Sequence, residues 1–247
     1  MPDLFSRSAL LYGQENIEIL KNRRAAVFGL GGVGGQAAES LCRAGVGAID
    51  VFDGDAVCVT NINRQIIATQ NTIGRPKAEV MAERLLEINP DLKIRAERIF
   101  YLPENADNVD FSVYDYIIDA VDTVAAKLEI ICRADSLGVP VISSMGAANK
   151  LDPTALEVSD IYATTICPLA RVMRHELRGR SVKALKVVYS KENPLKPQMT
   201  EEYETIFQSV RAAGSARRQL PASNSFVPPV AGLILAGEVV RDLTDFK

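Results

Sequence analysis

The chain lacks the long apolar runs of a membrane protein and the paired cysteines of a structural zinc site. No run approaches the ~20 apolar residues that a membrane-spanning helix requires. The longest candidate, residues 226–237, contains two prolines and is followed by Glu238 and Arg241, so we interpret it as a buried helix or a subunit contact. The N-terminus has no signal-peptide pattern. We therefore expect a cytoplasmic protein without a membrane span.

Cysteine and histidine are sparse. The four cysteines are widely separated and form no C-x-x-C pair, so no zinc site of the usual paired-cysteine kind is expected. In a reducing compartment such thiols are mostly small core residues. Cys167 is set apart because it precedes Pro168 in a polar stretch, and its participation in chemistry stays open. His175, the only histidine, is interpreted as a surface residue without a catalytic role.

The net charge is only −3, but its distribution along the chain is uneven. Residues 1–170 carry 15 Lys and Arg against 23 Asp and Glu, whereas residues 171–218 carry 11 against 5. A basic block in an otherwise acidic chain indicates a polyanionic partner that docks at one place. A solvated basic loop would give the same pattern, and charge alone does not separate the two.

Strands and helices alternate along the first 150 residues as a doubly wound sheet requires. At 247 residues and 47% apolar composition, the chain can bury one large core. Hydrophobic periodicity predicts helices at 9–20, 34–44, 77–88 and 124–137 and strands at 25–28, 48–52, 92–99, 116–118 and 140–142. We therefore predict an α/β, Rossmann-like, doubly wound fold whose mostly parallel sheet binds its ligand at the carboxyl ends of the strands, with an N-terminal helix and a C-terminal extension.

The pattern changes beyond residue 150. Strands are predicted at 155–158 and 185–188, with a helix over 168–178 between them. Residues 190–225 are polar, are interrupted by prolines and a glycine, and predict no long element. We expect a single domain over 1–247, with its core at 24–150. Residues 151–247 would supply substrate-binding strands, a basic helix, a crossover loop and a C-terminal helix.

The helix predicted over 168–178 has two faces. At 100° per residue, its apolar side chains fall on one side and its basic side chains on the other. The apolar side consists of Leu169, Val172, Met173 and Leu177. The basic side consists of Arg171, Arg174, His175 and Arg178. Phosphate contact and simple solvation explain such a basic face equally well.

The most informative stretch begins where the first predicted strand ends. A G-x-G-x-x-G pattern stands between this strand and the next helix, with glycines at Gly29, Gly31, Gly32 and Gly34. Glycines there let the backbone approach phosphates, and the helix directs its N–H groups at them. Asp53 closes the next strand, about 20 residues on, where an acid holds a ribose hydroxyl. These features predict a nucleotide pocket.

Basic residues beyond Asp53 indicate a triphosphate instead of a nicotinamide. Arg64 and Lys77 are suited to neutralise the β- and γ-phosphates of a leaving pyrophosphate. Asp122, just past the strand at 116–118, is placed to hold Mg²⁺, which a triphosphate site binds with few protein ligands. As an alternative to a role in the site, either Asp119 or Asp122 could cap the helix that follows. The phosphate turn lacks the Lys-Ser/Thr ending of a P-loop, which excludes that class of nucleotidase.

Several motifs between residues 29 and 90 resemble the adenylating domain of the ubiquitin-activating-enzyme-like (ThiF/MoeB/HesA) superfamily. They are the glycine motif, Asp53-Gly54-Asp55, Thr60-Asn61-Ile62-Asn63-Arg64-Gln65, Gly74-Arg75-Pro76-Lys77 and Ile88-Asn89-Pro90. Further motifs resemble the branch of tRNA threonylcarbamoyladenosine dehydratases. These are Cys58-Val59-Thr60-Asn61 and its continuation, Asn149-Lys150-Leu151-Asp152-Pro153-Thr154, Leu185-Lys186-Val187-Val188-Tyr189-Ser190 and Ser225-Phe226-Val227-Pro228. With them the resemblance covers nearly the whole chain.

The resemblance implies a single adenylating domain over 1–247, with its nucleotide-binding core at 24–150, and an ATP-dependent cyclisation on tRNA. In that family the carboxylate of the threonylcarbamoyl group on an anticodon-loop adenosine attacks the α-phosphate of ATP, and the acyl-adenylate then closes to a ring and expels AMP. Asp122 would bind magnesium, and Arg64, Lys77 and Asp122 would act in catalysis. Phe5-Ser6-Arg7 resembles the motif whose arginine reaches the phosphates across a dimer interface, so Arg7 is expected to act in trans within a homodimer. By motif, ATP would be bound by Asp53, Asn61, Arg64, Gln65 and Lys77.

Three other functions stay open. The first is activation of the C-terminal glycine of a small ubiquitin-like sulfur carrier, which would make a sulfur-transfer or carrier protein the partner. A flat apolar substrate face favours that function, and a basic face favours RNA. The second is a non-catalytic subunit that lends Arg7 to an active protomer, against which intact Arg64, Lys77 and Asp122 speak. The third is a nicotinamide dehydrogenase, which the basic pair placed for a triphosphate disfavours.

Overall fold

A seven-stranded sheet organises the part of the chain that the computed structural model describes, residues 3–198, 200–212 and 221–244. Its order is β3-β2-β1-β4-β5-β7-β6, and neighbouring strands are parallel except for the antiparallel pair of β6 and β7. The strands are β1 Arg24–Phe28, β2 Ala48–Phe52, β3 Lys93–Glu97, β4 Tyr116–Asp119, β5 Val141–Ser144, β6 Leu156–Asp160 and β7 Lys186–Ser190. The predicted α/β, mostly parallel fold is confirmed.

Helices flank the sheet on both faces. They are α1 Ser6–Tyr12, α2 Gln14–Lys21, α3 Gly34–Ala44, α4 Lys77–Ile88, α5 Val124–Leu137, α6 Pro168–Gly179, α7 Glu201–Ala212 and α8 Val227–Leu243. The core cluster on one face contains side chains of α3, α4 and α8, and the clusters on the other face contain side chains of α5 and α6. Successive β1 residues belong to opposite clusters because strand side chains alternate. In the described residues, no helix has the length and apolar character that a membrane crossing requires.

Two predictions about helices are wrong. The helix expected over 9–20 is divided into α1 and α2, because Gly13 has a φ of +85°, outside the α-helical region. The stretch 190–225, expected to hold no long element, contains α7. Thr200 starts that helix by accepting the Tyr203 N–H at its Oγ1, and Glu201 lies in the first turn. A Thr cap followed by an acidic first turn is a sequence signal for a helix start.

Helix α8 carries the last part of the chain back onto the first third. Its buried residues recur at a helical period, and it packs closely against α3. Gly232 permits that approach, because a Cβ there would lie 2.2 Å from the Val33 carbonyl oxygen. Residues 227–237 thus lie in a helix with one buried face, which fits the first of the two interpretations in part, since Phe226 and Leu233 are exposed. The glycine loop before α3 consequently lies beneath residues from the C-terminal part of the chain.

Candidate nucleotide-binding site

The loop between β1 and α3 is shaped by glycines that admit no side chain. Gly29 has a φ of +85°, and a Cβ on it would lie 2.8 Å from the carbonyl oxygen of Ala120. A Cβ on Gly34 would lie 1.8 Å from the Gly29 carbonyl oxygen. Gly31 is open by comparison, since the nearest atom to its Cβ position is Gln65 Nε2 at 3.9 Å. The loop therefore forms a narrow cradle at the N-terminus of α3, where backbone N–H groups favour phosphate.

Asp53, at the end of β2, is tied to this loop. Its Oδ2 accepts the Leu30 N–H at 2.7 Å, and its Oδ1 accepts the Asp55 N–H at 2.8 Å. Burial raises the pKa of the Asp53 carboxyl, and the nearby Lys77 ammonium opposes that shift. Each carboxylate oxygen keeps a second lone pair for a further donor, such as a ribose hydroxyl. The structure thus places Asp53 against the glycine loop, as the spacing predicts.

Lys77 is the first residue of α4 and lies buried between two carboxylates. Its Nζ is 2.7 Å from Asp55 Oδ2 and 3.8 Å from Asp53 Oδ1. The backbone fixes this position, since the Lys77 N–H donates to the Asp55 carbonyl oxygen and Ala56 pairs with Pro76. Sequence reasoning did not select Asp55 as a site residue, although it stands in the Asp53-Gly54-Asp55 turn. A phosphate reaching Lys77 would compete with the exposed Asp55 carboxylate for its ammonium.

Arg64 has no carboxylate partner among the residues that the structure describes. In the described part of the chain, its guanidinium forms hydrogen bonds to the Thr60 carbonyl oxygen and Asn63 Oδ1 but no ion pair. Burial lowers the pKa of Arg64. Its carbonyl oxygen and Cγ would lie 3.1 and 3.3 Å from a Cβ on Gly32, so the residue contacts the glycine loop. A partly buried cation without a counterion is suited to an anionic ligand.

Asn61 and Gln65 lie in the same turn as Arg64, because the Arg64 and Gln65 N–H groups both donate to the Asn61 carbonyl oxygen. Asn61 is buried, and its Oδ1 accepts the Cys58 N–H, which fixes the turn that carries Arg64. Gln65 is buried, its Nε2 faces Gly31, and its Oε1 has no partner among the described residues. A buried amide oxygen without a donor is costly unless a ligand or water supplies one. Gln65 Oε1 is therefore suited to accept from a donor group of a ligand or from water.

The turn after β4 holds Asp119 and Asp122 in different environments. Asp119 is fully buried, and its Oδ2 accepts from Ser143 Oγ and, at 3.0 Å, from Lys127 Nζ. Its Oδ1 accepts the Val121 N–H at 3.2 Å. Asp122 is exposed and accepts from Thr123 Oγ1, and Thr123 is the N-cap residue of α5. Asp119 thus organises the turn that carries Asp122 and touches Gly29, a role that the sequence did not reveal.

Asp122 suits a magnesium ion that is held mainly by phosphates. Among the described residues, no group of three or more His, Cys, Asp or Glu side chains is arranged to hold a metal ion. Magnesium usually keeps several waters and binds through one or two carboxylates together with substrate phosphates. The exposed Asp122 carboxylate at the sheet edge, close to the glycine loop, fits that mode of binding.

Arg7 lies away from the other predicted site residues of its own chain. It is exposed on α1, two residues after Phe5, whose ring packs against Gly45 at the C-terminal end of α3. The glycine loop lies at the opposite end of α3, which has 11 residues and is therefore ~16 Å long. The structure thus brings together the glycines, Asp53, Asn61, Arg64, Gln65 and Lys77, with Asp122 nearby, and leaves Arg7 apart.

The predicted faces of α6 require correction. Arg174 is half-buried, and its Nη1 donates to the Thr164 carbonyl oxygen at 2.9 Å, so it is not part of the outer face. Val172, expected in the core, is 46% exposed, because the buried stripe is narrower and includes Ala170.

Cys167 is buried beside Gly146, and Cys58 is the exposed cysteine. Part of the basic block, including Arg217 and Arg218, lies outside the described residues.

Residues from the last part of the chain close over the glycine loop. The Ser223 carbonyl oxygen accepts from Asn63 Nδ2 at 2.9 Å, and the Cβ of Pro228 would lie 3.0 Å from a Cβ on Gly32. The Asn149 N–H donates to the Ala222 carbonyl oxygen, and the Ala222 N–H donates to Asn149 Oδ1. Residues 222–228 therefore join the Arg64 turn to the loop after β5, which places both at one end of the sheet.

Comparisons with known proteins agree with this geometry. The ThiF family profile matches residues 5–246. The tRNA threonylcarbamoyladenosine dehydratase of Bacillus subtilis is 42% identical over 97% of this chain and 94% of its own length. Crystal structures of the Escherichia coli tRNA N6-threonylcarbamoyladenosine dehydratase with AMP and with ATP superpose with TM-scores of 0.84 and 0.82, at 32% identity over 97% of this chain and 93% of theirs. The sulfur carrier protein adenylyltransferase of Thermus thermophilus is 34% identical over 61% of this chain and 55% of its own length.

Proposed function

The chain belongs to the ThiF family, and we propose on that basis that it is an ATP-dependent dehydratase acting on threonylcarbamoyladenosine in tRNA. The observation that carries the proposal is the cradle itself: a glycine loop, an acid at the ribose position, and Arg64, which no carboxylate neutralises in the described part of the chain. Similarity to dehydratases over nearly the whole chain supports this substrate over a sulfur carrier, for which the similarity covers a smaller part.

The reaction has two steps. A carboxylate oxygen of the threonylcarbamoyl side chain attacks the α-phosphorus of ATP, and the bond to the bridging oxygen breaks to release pyrophosphate. A nitrogen of the same side chain then attacks the activated carbonyl carbon, the C–N bond forms, AMP leaves with the former carboxylate oxygen, and the nitrogen loses its proton. The tRNA has then lost one water molecule. The second step is intramolecular, so positioning supplies most of what it needs.

The protein residues bind and orient the triphosphate. Backbone N–H groups at the start of α3 and the guanidinium of Arg64 would face phosphate oxygens, and Lys77 would exchange its contact with Asp55 for one of them. Neutralising the departing pyrophosphate lowers the barrier of the first step, because negative charge accumulates on it in the transition state. Asp53 would accept from a ribose hydroxyl, and Gln65 Oε1 from another donor of the nucleoside.

Magnesium is the metal that this site suits. Asp122 would hold it, and when bound it would neutralise phosphate charge. The Asp122 carboxylate would in turn be positioned by the turn that Asp119 organises.

A homodimer would complete the site with Arg7 from the second protomer. The position of Arg7, far from its own glycine loop along α3, supports a role across an interface. On the same N-terminal segment, Leu10 is 89% exposed and Leu11 is 65% exposed, and such apolar exposure favours contact with another subunit. Residues 24–150 would bind ATP, and residues 151–247 would receive the tRNA. A tRNA-modifying enzyme that consumes ATP works where both are present, so we place it in the cytoplasm.

The test measures products with two matched tRNAs. Purified protein, ATP and magnesium are incubated with tRNA that carries threonylcarbamoyladenosine and with the same tRNA lacking it. We expect release of pyrophosphate and AMP only with the modified tRNA, and mass spectrometry of the digested tRNA should show loss of one water. Equal nucleotide consumption with both tRNAs, or consumption that requires a carrier protein with a C-terminal glycine, would contradict the proposal.

A further inference from the structure

The outer face of α6 carries basic side chains that pair with no carboxylate among the described residues. We propose that this face binds the sugar-phosphate backbone of the tRNA beside the nucleotide that reacts. The residues concerned, called here the α6 stripe, are Arg171, His175, Arg178 and Lys183. The inference rests on the proposed function in one respect, because the polyanion it names is the tRNA on which that function acts.

The stripe is narrow and straight. Positions 171, 175 and 178 are four and three residues apart, so a helix places them within about 60° of one another. All three side chains are exposed, and Lys183 is exposed beyond the end of the helix. Arg171 and Arg178 are about 10 Å apart along the axis, at 1.5 Å per residue. A nucleic-acid strand advances about 3.4 Å per phosphate along a duplex axis, so the helical part of the stripe matches about three phosphates.

Other cations at the end of α6 and in or just after β7 are paired with carboxylates. Arg180 pairs with Glu176, Lys186 with Asp242, and Lys191 with Glu157. Within the described ranges of the chain, Arg171, Arg178 and Lys183 take part in no ion pair. The protein as a whole carries a net charge of −3, so these cations lie uncompensated in an acidic molecule. Such a local excess of positive charge attracts a polyanion and steers its approach.

Arg178 is held in an orientation suited to phosphate. Its guanidinium lies 5.2 Å from the centre of the Tyr162 ring, and the Tyr162 hydroxyl donates to the Val182 carbonyl oxygen, which fixes that ring. A guanidinium stacked on an aromatic ring keeps its N–H edge available for two oxygens of one phosphate. Beside it is a shallow, open surface depression of about 430 Å³, lined by Tyr162, Arg178, Ser181, Val182 and Lys183. Two basic side chains and the Ser181 side chain therefore border the same depression.

The other end of the stripe reaches the edge of the sheet where the nucleotide would bind. At the start of α6, Cys167 Sγ and Leu169 Cβ would lie 3.5 and 3.9 Å from a Cβ on Gly146, which follows β5. Strand β5 pairs with β4, and the end of β4 carries the turn that touches Gly29. An RNA strand along the stripe would thus lead toward the glycine loop at the carboxyl edge of the sheet.

The experiment compares tRNA binding by single variants over a range of salt concentrations. The variants are Arg171→Gln, Arg178→Gln and Lys183→Gln, with the triple variant. Arg180→Gln, at the C-cap of the same helix, is the matched control because Arg180 is already paired with Glu176. Each stripe variant should lower the slope of log affinity against log salt by about one, and the triple variant should bind about tenfold or more weakly. Arg180→Gln should keep the wild-type slope. ATP binding should be unchanged in every variant, since the nucleotide is held elsewhere.

An isolated anticodon stem–loop serves as the second probe. If the stripe binds the backbone next to the reacting nucleotide, the triple variant should lose affinity for the stem–loop as it does for the whole tRNA. An unaltered slope and affinity in the triple variant, or a loss seen with whole tRNA only, would overturn the inference. Wild-type turnover with modified tRNA is measured in parallel. Normal turnover by the wild type, together with unaltered tRNA binding by the triple variant, refutes only the role of the α6 stripe. Failure of wild-type turnover refutes the proposed function.

Discussion

Lys77 and Arg64 differ in what a phosphate must displace. Lys77 Nζ already contacts the Asp55 carboxylate, whereas the Arg64 guanidinium donates only to neutral oxygens in the described part of the chain. Asp55 is exposed, so water can solvate its carboxylate once Lys77 turns to a phosphate. Arg64, by contrast, gains a counterion for a charge that burial disfavours. In the proposed reaction, the two cations would therefore serve the same leaving group from different starting states.

Replacing either cation should slow adenylation, with different effects on stability. Arg64→Ala and Lys77→Ala should each lose about 2 to 4 kcal/mol of transition-state stabilisation, because each removes a fixed charge from the leaving pyrophosphate. Arg64→Ala should leave the free energy of unfolding nearly unchanged. Lys77→Ala should lower it by about 1 to 3 kcal/mol, since the buried Asp53 loses its nearby cation. Single-turnover pyrophosphate release and urea denaturation measure the two effects.

Arg75→Ala is the matched control for both variants. Arg75 stands two residues before Lys77, and its guanidinium pairs with Glu83 on the surface of α4. Removing it should change neither the rate of adenylation nor stability by more than about 1 kcal/mol. Turnover close to wild type in both Arg64→Ala and Lys77→Ala would remove these residues from the triphosphate site.

Helices and strands are predicted correctly where the hydrophobic pattern of neighbouring residues determines them. Helices α3, α4 and α5 begin and end where the sequence predicts, because each has a clear apolar period between polar or glycine boundaries. Predicted strand ends differ from the observed ends by at most two residues, within the usual uncertainty of an element boundary. The predicted site residues at the ends of β1 and β2, Gly29 and Asp53, lie close together because the ends of parallel strands meet at one edge.

The errors arise where a long-range contact or a special backbone conformation decides. Arg174 leaves the basic face because Thr164, ten residues earlier, accepts from it, and helical periodicity carries no information about that contact. Gly13 takes a positive φ that a glycine in a helical pattern permits but does not require. The sequence around Lys127 does not distinguish it from a surface lysine on a helix. Only the packing of α5 against β4 and β5 brings its ammonium to Asp119.

Lys127 should hold the turn that carries Asp122. Its ammonium is fully buried and contacts Asp119 Oδ2, Ser143 Oγ and the Ser144 carbonyl oxygen. Lys127→Met should lower the free energy of unfolding by about 3 to 5 kcal/mol, because it leaves the Asp119 carboxylate buried without a counterion. Adenylation should fall with it, as the turn beside Gly29 loses its fixed geometry. Urea denaturation and pyrophosphate release measure the two consequences.

A second substitution separates loss of the pair from loss of packing. Combining Lys127→Met with Asp119→Asn removes both charges and keeps an amide oxygen that can accept the Val121 N–H. The double variant should therefore regain part of the stability that Lys127→Met loses. A Lys127→Met protein as stable as the wild type, or a double variant less stable than the single one, would show that the pair does not organise this turn.

At the scale of the whole molecule, the site is assembled from distant parts of the chain. Pro228 lies beside Gly32, the Ser223 carbonyl oxygen accepts from Asn63, and α8 packs against α3. Pairing between segments some 160 residues apart depends on tertiary packing, which no local pattern encodes. The same consideration applies to Arg7, whose placement at the far end of α3 becomes evident only in the folded chain.

Mixing two inactive variants should restore activity if Arg7 acts across a dimer. Arg7→Ala removes the arginine that a protomer lends, and Asp122→Ala removes the carboxylate of the protomer's own site. A mixed dimer then contains one site with both residues and one site with neither. Random exchange of equal amounts gives half mixed dimers, each with one intact site of two, so about a quarter of wild-type activity is expected. Pyrophosphate release with modified tRNA measures it.

Subunit exchange must be observed in the same sample for this result to carry weight. Energy transfer between differently labelled protomers reports exchange, and each variant assayed alone supplies the baseline. Recovery that rises in step with exchange would mean that one chain's Arg7 serves its partner's phosphates, as its distance from its own glycine loop requires. A protein that is monomeric at assay concentrations, or full exchange without recovery, would instead restrict the catalytic site to residues of one chain and leave the exposed Leu10 and Leu11 without a role in it.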